Sequence, residues 1–359
     1  MTEPSYIRLY ETGELRERVE RLEAMLASCD ICPRDCFVNR LKDEVAACHS
    51  GYLPVVSSHT PHFGEEPPLV GKNGAGNIFF GNCNLRCVYC QNFQISQRHR
   101  EQRVNEVSFE RLAEMMLDLQ SRGCHNINLV SPTHFVPQIV KALLIAAERG
   151  LRLPIVYNTN AYDSVEALKL LDGVVDIYLP DLKYSDDDSG WRYSKIEGYA
   201  TRAQAALREM YRQVGHELAF DGDGVLQRGL VVRLLVLPND QAGIRDSLLF
   251  LRDELSPKVA LSIMAQYFPV NQATVARNPL LSRKLMASEY WNALDLLEAL
   301  GMEEGWVQEF ESADYYRPDF TDASVPFKDI RDFQGPLSSA YVPAPTLPKV
   351  PRFHVPSAT

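Results

Sequence analysis

From residue 76 to about residue 300, short apolar runs alternate with stretches of helical period, and this alternation confines the chain to a parallel α/β architecture. Runs at 76–80, 126–130, 154–157, 175–179, 230–236 and 259–264 read as strands. Helical patterns fall between and after them, at 108–121, 135–149, 164–172, 200–214, 243–254 and 281–300. Six βα units predict a parallel sheet, which a doubly wound fold and a curled partial barrel satisfy equally. In such folds reactive groups gather in the loops at the carboxyl ends of the strands. The notable residues follow that rule, with Cys83 after the first run, Ser131 to His134 after the second, Asn158 to Asn160 after the third, and Asp181 to Lys183 after the fourth.

The flanks are organised differently. Leu15, Val19, Leu22 and Leu26 recur at steps of three and four, which predicts a helix over 11–28 with one apolar face. Residues 49–75 carry turn formers and no sustained period, so a long ordered loop is expected there. Its glycine-rich end, Gly71 to Gly76, lacks the Lys-Ser or Lys-Thr pair of a phosphate loop and reads as a tight turn into the first strand. The expected organisation is a 1–70 unit of helix, cysteine cluster and loop, a 71–310 core, and a Pro-rich 311–359 tail. The net charge of −10 argues against a nucleic-acid-binding surface. No apolar run reaches bilayer-spanning length and the first twelve residues lack the pattern of a signal peptide, so a cytoplasmic location is expected.

Seven of the eight cysteines lie between Cys29 and Cys90 in two tight clusters, and only Cys124, read as a small buried hydrophobe, stands apart. In a reducing compartment such density indicates metal binding before disulfides. The stretch Gly81-Asn82-Cys83-Asn84-Leu85-Arg86-Cys87-Val88-Tyr89-Cys90-Gln91-Asn92 places three thiols at CxxxCxxC spacing just after a strand. Soft thiolates suit an iron–sulfur cubane or zinc. Three protein ligands on a cubane would leave one iron open to a bound molecule.

CxxxCxxC with an aromatic residue, Tyr89, directly before the last cysteine resembles the signature of the radical S-adenosylmethionine (SAM) superfamily. That resemblance implies a partial (βα)6 barrel and a [4Fe-4S] cluster on Cys83, Cys87 and Cys90. It also implies SAM chelated at the open iron, a one-electron reductant as partner, and cleavage to a 5′-deoxyadenosyl radical that abstracts hydrogen from a substrate. More narrowly, Cys29 to Cys36, Glu65-Glu66-Pro67-Pro68, Cys90-Gln91-Asn92, Ser131-Pro132-Thr133-His134 and Gln266-Tyr267-Phe268-Pro269 resemble the PflX-type homologues of pyruvate formate-lyase activating enzyme.

By comparison with the activating enzymes, Asn158, Asn160, Asp181, Lys183 and Arg233 become candidate SAM-site residues, together with Tyr89. Asn158 stands where those enzymes have Asp, one negative charge fewer for a bound cation. Val130 to Thr133 replaces the Gly-Gly-Glu segment that holds the SAM amino group in many relatives, and Ser131 and Thr133 offer hydroxyls in its place. Glu65 and Glu66 are candidate contacts, although a solvated loop is the reading preferred for them. The substrate class implied is a protein or peptide, as for an activase of a glycyl-radical enzyme, or a small molecule. The alternative reading is a non-catalytic iron–sulfur electron-transfer protein.

Cys29, Cys32, Cys36 and Cys48 form a second, closed set of four soft ligands. The set suits structural zinc or an auxiliary [4Fe-4S] cluster, and spacing does not choose between them. His49 is a possible substitute ligand.

Overall fold

Ten strands order the described residues: β1 (Val56–His62), β2 (Ala75–Phe80), β3 (Ile127–Val130), β4 (Ile155–Thr159), β5 (Ile177–Pro180), β6 (Ala219–Phe220), β7 (Leu226–Leu235), β8 (Ala260–Met264), β9 (Gly305–Gln308) and β10 (Tyr341–Pro343). The structure is a computed structural model that describes residues 3–274, 277–314, 316–322, 324, 326–327 and 341–343. The strands follow the order β1-β2-β3-β4-β5-β7-β8-β9-β10, with β6 paired to β7 as a short hairpin. Neighbours from β2 to β9 are parallel, while β1 and β10 run antiparallel at the two edges. Among the described residues the sheet is open, with no pairing between its two edges.

Each parallel strand separates two environments because successive side chains point to opposite faces. Ile78, Phe80, Leu129, Tyr157, Tyr178, Val232, Leu234, Leu261 and Ile263 face the helices in the main core. On the other face Val156, Ile177, Leu179, Val231 and Ala260 meet Leu69 in a separate apolar cluster. Further along the same face, Phe79, Val130, Asn158, Arg233, Leu235 and Met264 line one cavity. A single cavity lined from these five strands means that the sheet curls around it.

The helices between strands fall close to their predicted ranges, at Phe109–Ser121, Val136–Glu148, Val165–Leu170, Tyr199–Val214, Ile244–Phe250 and Ala287–Leu300. Three expectations are corrected. Residues 49–75 contain β1 and a single helical turn, Pro67–Val70. After Val56, β1 is made of Ser, His, Thr and Pro, and its pairing with β2 overrides that composition, which an edge strand tolerates. Among the described residues the parallel strands number seven, because the four-residue β9 adds beside β8. The helix expected over 11–28 spans Glu14–Ala24 and tightens into a last turn at Met25–Ser28, while a separate helix, Ser5–Thr12, precedes it. Gly13 joins the two at φ 85°, a conformation that favours glycine. Residues 328–340 and 344–359 of the expected tail lie outside the described residues.

Leu15, Leu22 and Leu26 are fully buried and Val19 nearly so, which seats the N-terminal helices against Val136–Glu148. Replacing Leu22 by Ala is expected to remove about 2–5 kcal/mol of unfolding free energy. Urea unfolding of the two proteins measures the difference.

Candidate active site

The chain leaves β2 through Asn82, held at φ 64°, whose N–H donates to the Ile95 carbonyl at 2.8 Å. This turn sends Cys83, Cys87 and Cys90 into the cavity. The Leu85 N–H donates to Cys83 Sγ at 3.3 Å, and the Ser194 and Ser96 hydroxyls lie 3.0 and 3.2 Å from Cys87 Sγ and Cys90 Sγ. Tyr89 is buried between Tyr184 and Tyr267, with ring centroids 6.4 and 5.8 Å away, and so fixes the end of the loop. The Gln91 amide reaches the Gln266 carbonyl at 2.7 Å, joining two of the sequence stretches noted above. Burial pushes all three thiols above their ordinary range, Cys90 to about 12, and a bound cation favours their thiolate form. Among the described residues no three Cys, His, Asp or Glu side chains stand preassembled around a metal position. The donor chemistry nonetheless fits a cubane, since three soft ligands from one loop face one cavity.

Beneath the thiols lies a polar layer. Arg233 on β7 donates from Nε to Asp181 Oδ1 at 2.6 Å, from Nη1 to Glu65 Oε2 at 3.2 Å and from Nη2 to Asn158 Oδ1 at 2.5 Å. Lys183 Nζ donates to the other Asp181 oxygen at 2.7 Å. Asn77 on β2 and Asn128 on β3 donate to Glu65 Oε1 at 2.9 and 3.1 Å. Burial by itself would push the Asp181 carboxyl up, but Arg233 and Lys183 hold it below its ordinary range. Burial would likewise lower Lys183, and Asp181 outweighs it and raises the ammonium. Glu66 is buried with both carboxylate oxygens unpartnered among the described residues, and burial raises its carboxyl.

Residues 77–216, which contain the thiol loop and β3 to β5, match the radical SAM superfamily. The chain carries a radical SAM domain. A domain of this superfamily implies an enzyme with a [4Fe-4S] cluster and SAM-cleaving radical chemistry in general. Two curated relatives are from Methanocaldococcus jannaschii. Uncharacterized protein MJ0674 is 28% identical over 295 residues, covering 80% of this chain and 79% of its own. Uncharacterized protein MJ0808 is 25% identical over 257 residues, covering 67% and 71%. No described helix is long and apolar enough to cross a membrane.

Around the radical SAM cavity the residues singled out from the sequence divide into groups. Tyr89, Ser131, Asn158, Asn160, Asp181, Lys183 and Arg233 all line it. Asn158 gives its amide oxygen to Arg233 instead of leaving it for a cation, and Asn160 is engaged with Asn84 at 2.8 Å. Thr133 is not among the lining residues, and its hydroxyl lies 3.0 Å from that of Thr159, which does line the cavity. The solvated reading of Glu65 and Glu66 is also corrected, because β1 folds the loop inward and brings Glu65 to the cavity wall. Sequence reasoning missed Asn77, Asn128, His62, Met264, Tyr316 and Phe327. The signal for the first two was present, as amides within otherwise apolar strands. Cys124 is buried, as a small hydrophobe would be.

In the N-terminal set, the chain doubles back so that the Cys29 N–H donates to Val38 O at 2.9 Å and the Phe37 N–H to Cys29 O at 3.0 Å. The buried Cys32 thiol lies within electrostatic reach of Cys29, Cys36 and Cys48. His49 stacks on His99 with centroids 3.8 Å apart.

His62 is enclosed against Phe79 and Phe327, and burial alone lowers its imidazole from 6.5 to about 3. A depressed histidine contributes stability above pH 6.5 that is lost as pH falls toward 3, at about 1.4 kcal/mol per pH unit within that window. His62→Phe is expected to remove this share of the acid slope, read from urea unfolding of the metal-free chain at several pH values.

Proposed function

We propose that this chain reductively cleaves SAM at a [4Fe-4S] cluster held by Cys83, Cys87 and Cys90, and abstracts hydrogen from a protein, peptide or small molecule in the cavity. Activation of a glycyl-radical enzyme is the activase form of this reaction. The reading also includes a low-potential one-electron reductant as partner, a cytoplasmic setting, and a metal at Cys29, Cys32, Cys36 and Cys48. The observation that carries it is that three thiols and the paired charges of Asp181, Lys183 and Arg233 line one cavity.

When bound, the cluster and SAM supply a hydrogen-abstracting radical. The chain's own residues bind, orient and shield. Lys183 and Asp181 present opposite charges side by side, matching the carboxylate and ammonium of an amino acid. Arg233 positions Asp181 and so fixes the direction of that charge pair. Ser131, at φ 58°, donates its N–H to Asn158 O at 2.9 Å, which leaves its hydroxyl available at the cavity wall. Phe79, Val130, Leu235 and Met264 supply apolar walls that exclude water. A purely electron-transferring protein has no use for a charge-paired cavity beside its cluster, which favours the enzyme reading over that alternative.

The test is anaerobic reconstitution of the full chain, reduction, addition of SAM and assay of 5′-deoxyadenosine. Wild type is expected to form it above background, and a variant with Cys83, Cys87 and Cys90 all changed to Ala is expected to form none. A loaded, SAM-binding protein that stays at background with and without added substrates would overturn the reading.

A further inference from the structure

The charged residues of the cavity lie just past the carboxyl ends of β4 and β5, where the ladder of the sheet gives out. The N–H groups of Asp181 and Leu182 still donate to neighbouring chain segments, to Thr159 O at 2.8 Å and Arg233 O at 3.0 Å. At Lys183 the acceptor is a side chain: its N–H donates to the Tyr199 hydroxyl at 2.8 Å. The same hydroxyl lies 2.9 Å from Asp181 O and 3.0 Å from Asn160 O, so its one proton faces these two carbonyls. One phenol oxygen thus meets the main chain of three residues that line the cavity.

Tyr199 is itself fixed from several sides. It is fully buried behind the lining residues and opens the helix Tyr199–Val214. Its ring stands edge-on to Tyr184, with centroids 5.3 Å apart, and near-parallel to Tyr162 at 6.2 Å. The Asp187 carboxylate accepts from the Ala200 N–H at 2.7 Å and pins the first turn of the helix. A Cβ added at Gly190 would come within 2.5 Å of Tyr199 Cβ, so the main chain at Gly190 closes another side. Burial raises the phenol well above its ordinary range, and it keeps its proton.

Packing does not account for the hydroxyl. Phenylalanine would fill the same ring space, whereas the oxygen serves one N–H and two carbonyls. Lys183 Nζ and Asp181 Oδ2 are 2.7 Å apart, and both side chains spring from main chain that Tyr199 holds. Asn160 is held in the same way, and its Nδ2 donates to Asn84 Oδ1 at 2.8 Å, beside Cys83. Without the hydroxyl the Lys183 N–H would lose its acceptor, and the chain would relieve this by shifting or by admitting water. Either response moves the charge pair relative to the thiol loop.

We infer that Tyr199 is a positioning residue: from behind the cavity wall its hydroxyl sets the spacing and direction of the Asp181–Lys183 charge pair that receives the amino-acid end of SAM. No bond is made or broken at Tyr199. The inference rests on the reading that this pair receives SAM, but its test does not depend on SAM being cleaved.

Tyr199→Phe removes only the oxygen. In the anaerobically reconstituted full chain it is expected to weaken SAM binding at least about tenfold in equilibrium dialysis, the scale of a lost buried hydrogen bond. Binding of 5′-methylthioadenosine, which keeps the adenosyl group and has no amino-acid end, is expected to change by less than about twofold. Equal loss of both ligands would mean a general loosening of the cavity and would overturn the inference, as would unchanged SAM binding. Tyr178→Phe is the control, since its buried hydroxyl bonds Gln213 Oε1 at 2.6 Å on the helix-facing side of the sheet. It is expected to leave SAM affinity within about twofold of wild type, and a loss as large as that of Tyr199→Phe overturns the inference. Hydrogen exchange followed by mass spectrometry supplies a reading without SAM. The Lys183 N–H is expected to exchange at least about tenfold faster in Tyr199→Phe than in wild type, and an unchanged rate overturns the inference. A wild type in which Tyr199 protects Lys183 but no SAM binds would uphold the tie and count against the proposed function instead.

Discussion

The guanidinium of Arg233 is the interaction on which the interior depends. It bonds Asn158 at the end of β4, Asp181 just beyond β5 and Glu65 from the segment between β1 and β2, and its own position is set by β7. One side chain thus ties together the middle of the sheet and its edge. The charges involved are only 10 to 20% exposed, so each relies on the others for compensation. Removing one member of such a buried set typically costs about 3–5 kcal/mol, because the remaining charges stay buried without partners.

This network also explains how one curled sheet face carries three kinds of surface. At the bottom, Val156, Ile177, Val231 and Ala260 form an apolar floor. Two residues further along β4, β7 and β8, the inward positions are Asn158, Arg233 and Ser262, and Asn77 and Asn128 occupy the same face of β2 and β3. Above them the thiol loop, Asp181 and Lys183 reach the cavity. A period of two along each strand, combined with the parallel register, is sufficient to produce this layering. The radical SAM domain therefore has a charged wall directly under its cysteines, while the helices on the outer face bury the bulk of the apolar side chains.

The parts of this arrangement that could be read from the sequence are those fixed by local pattern. Apolar runs marked β2 to β5, β7 and β8, and the CxxxCxxC spacing marked the loop after β2. What could not be read depends on long-range pairing. β1 has almost no apolar residues and becomes a strand only because β2 offers it hydrogen bonds, and that pairing carries Glu65 inward. β9 is four residues long and depends on β8 in the same way. Thr133 lies two residues from Ser131, but the helical turn that begins there sets its hydroxyl behind the lining residue Thr159. The buried Arg40, which donates to the Gly51 and His134 carbonyls, was invisible for a related reason, since nothing local distinguishes it from a surface residue.

Three cysteines on a four-iron cluster would leave one iron open to SAM. Electron–nuclear double resonance on the reduced, reconstituted protein with SAM labelled by 15N at the amino group and 13C at the carboxylate tests it most directly. Hyperfine coupling of both labels to the cluster is the result expected if SAM occupies that iron. Tightly bound SAM with no coupling from either label, or a fourth protein ligand on the cluster, would contradict the account.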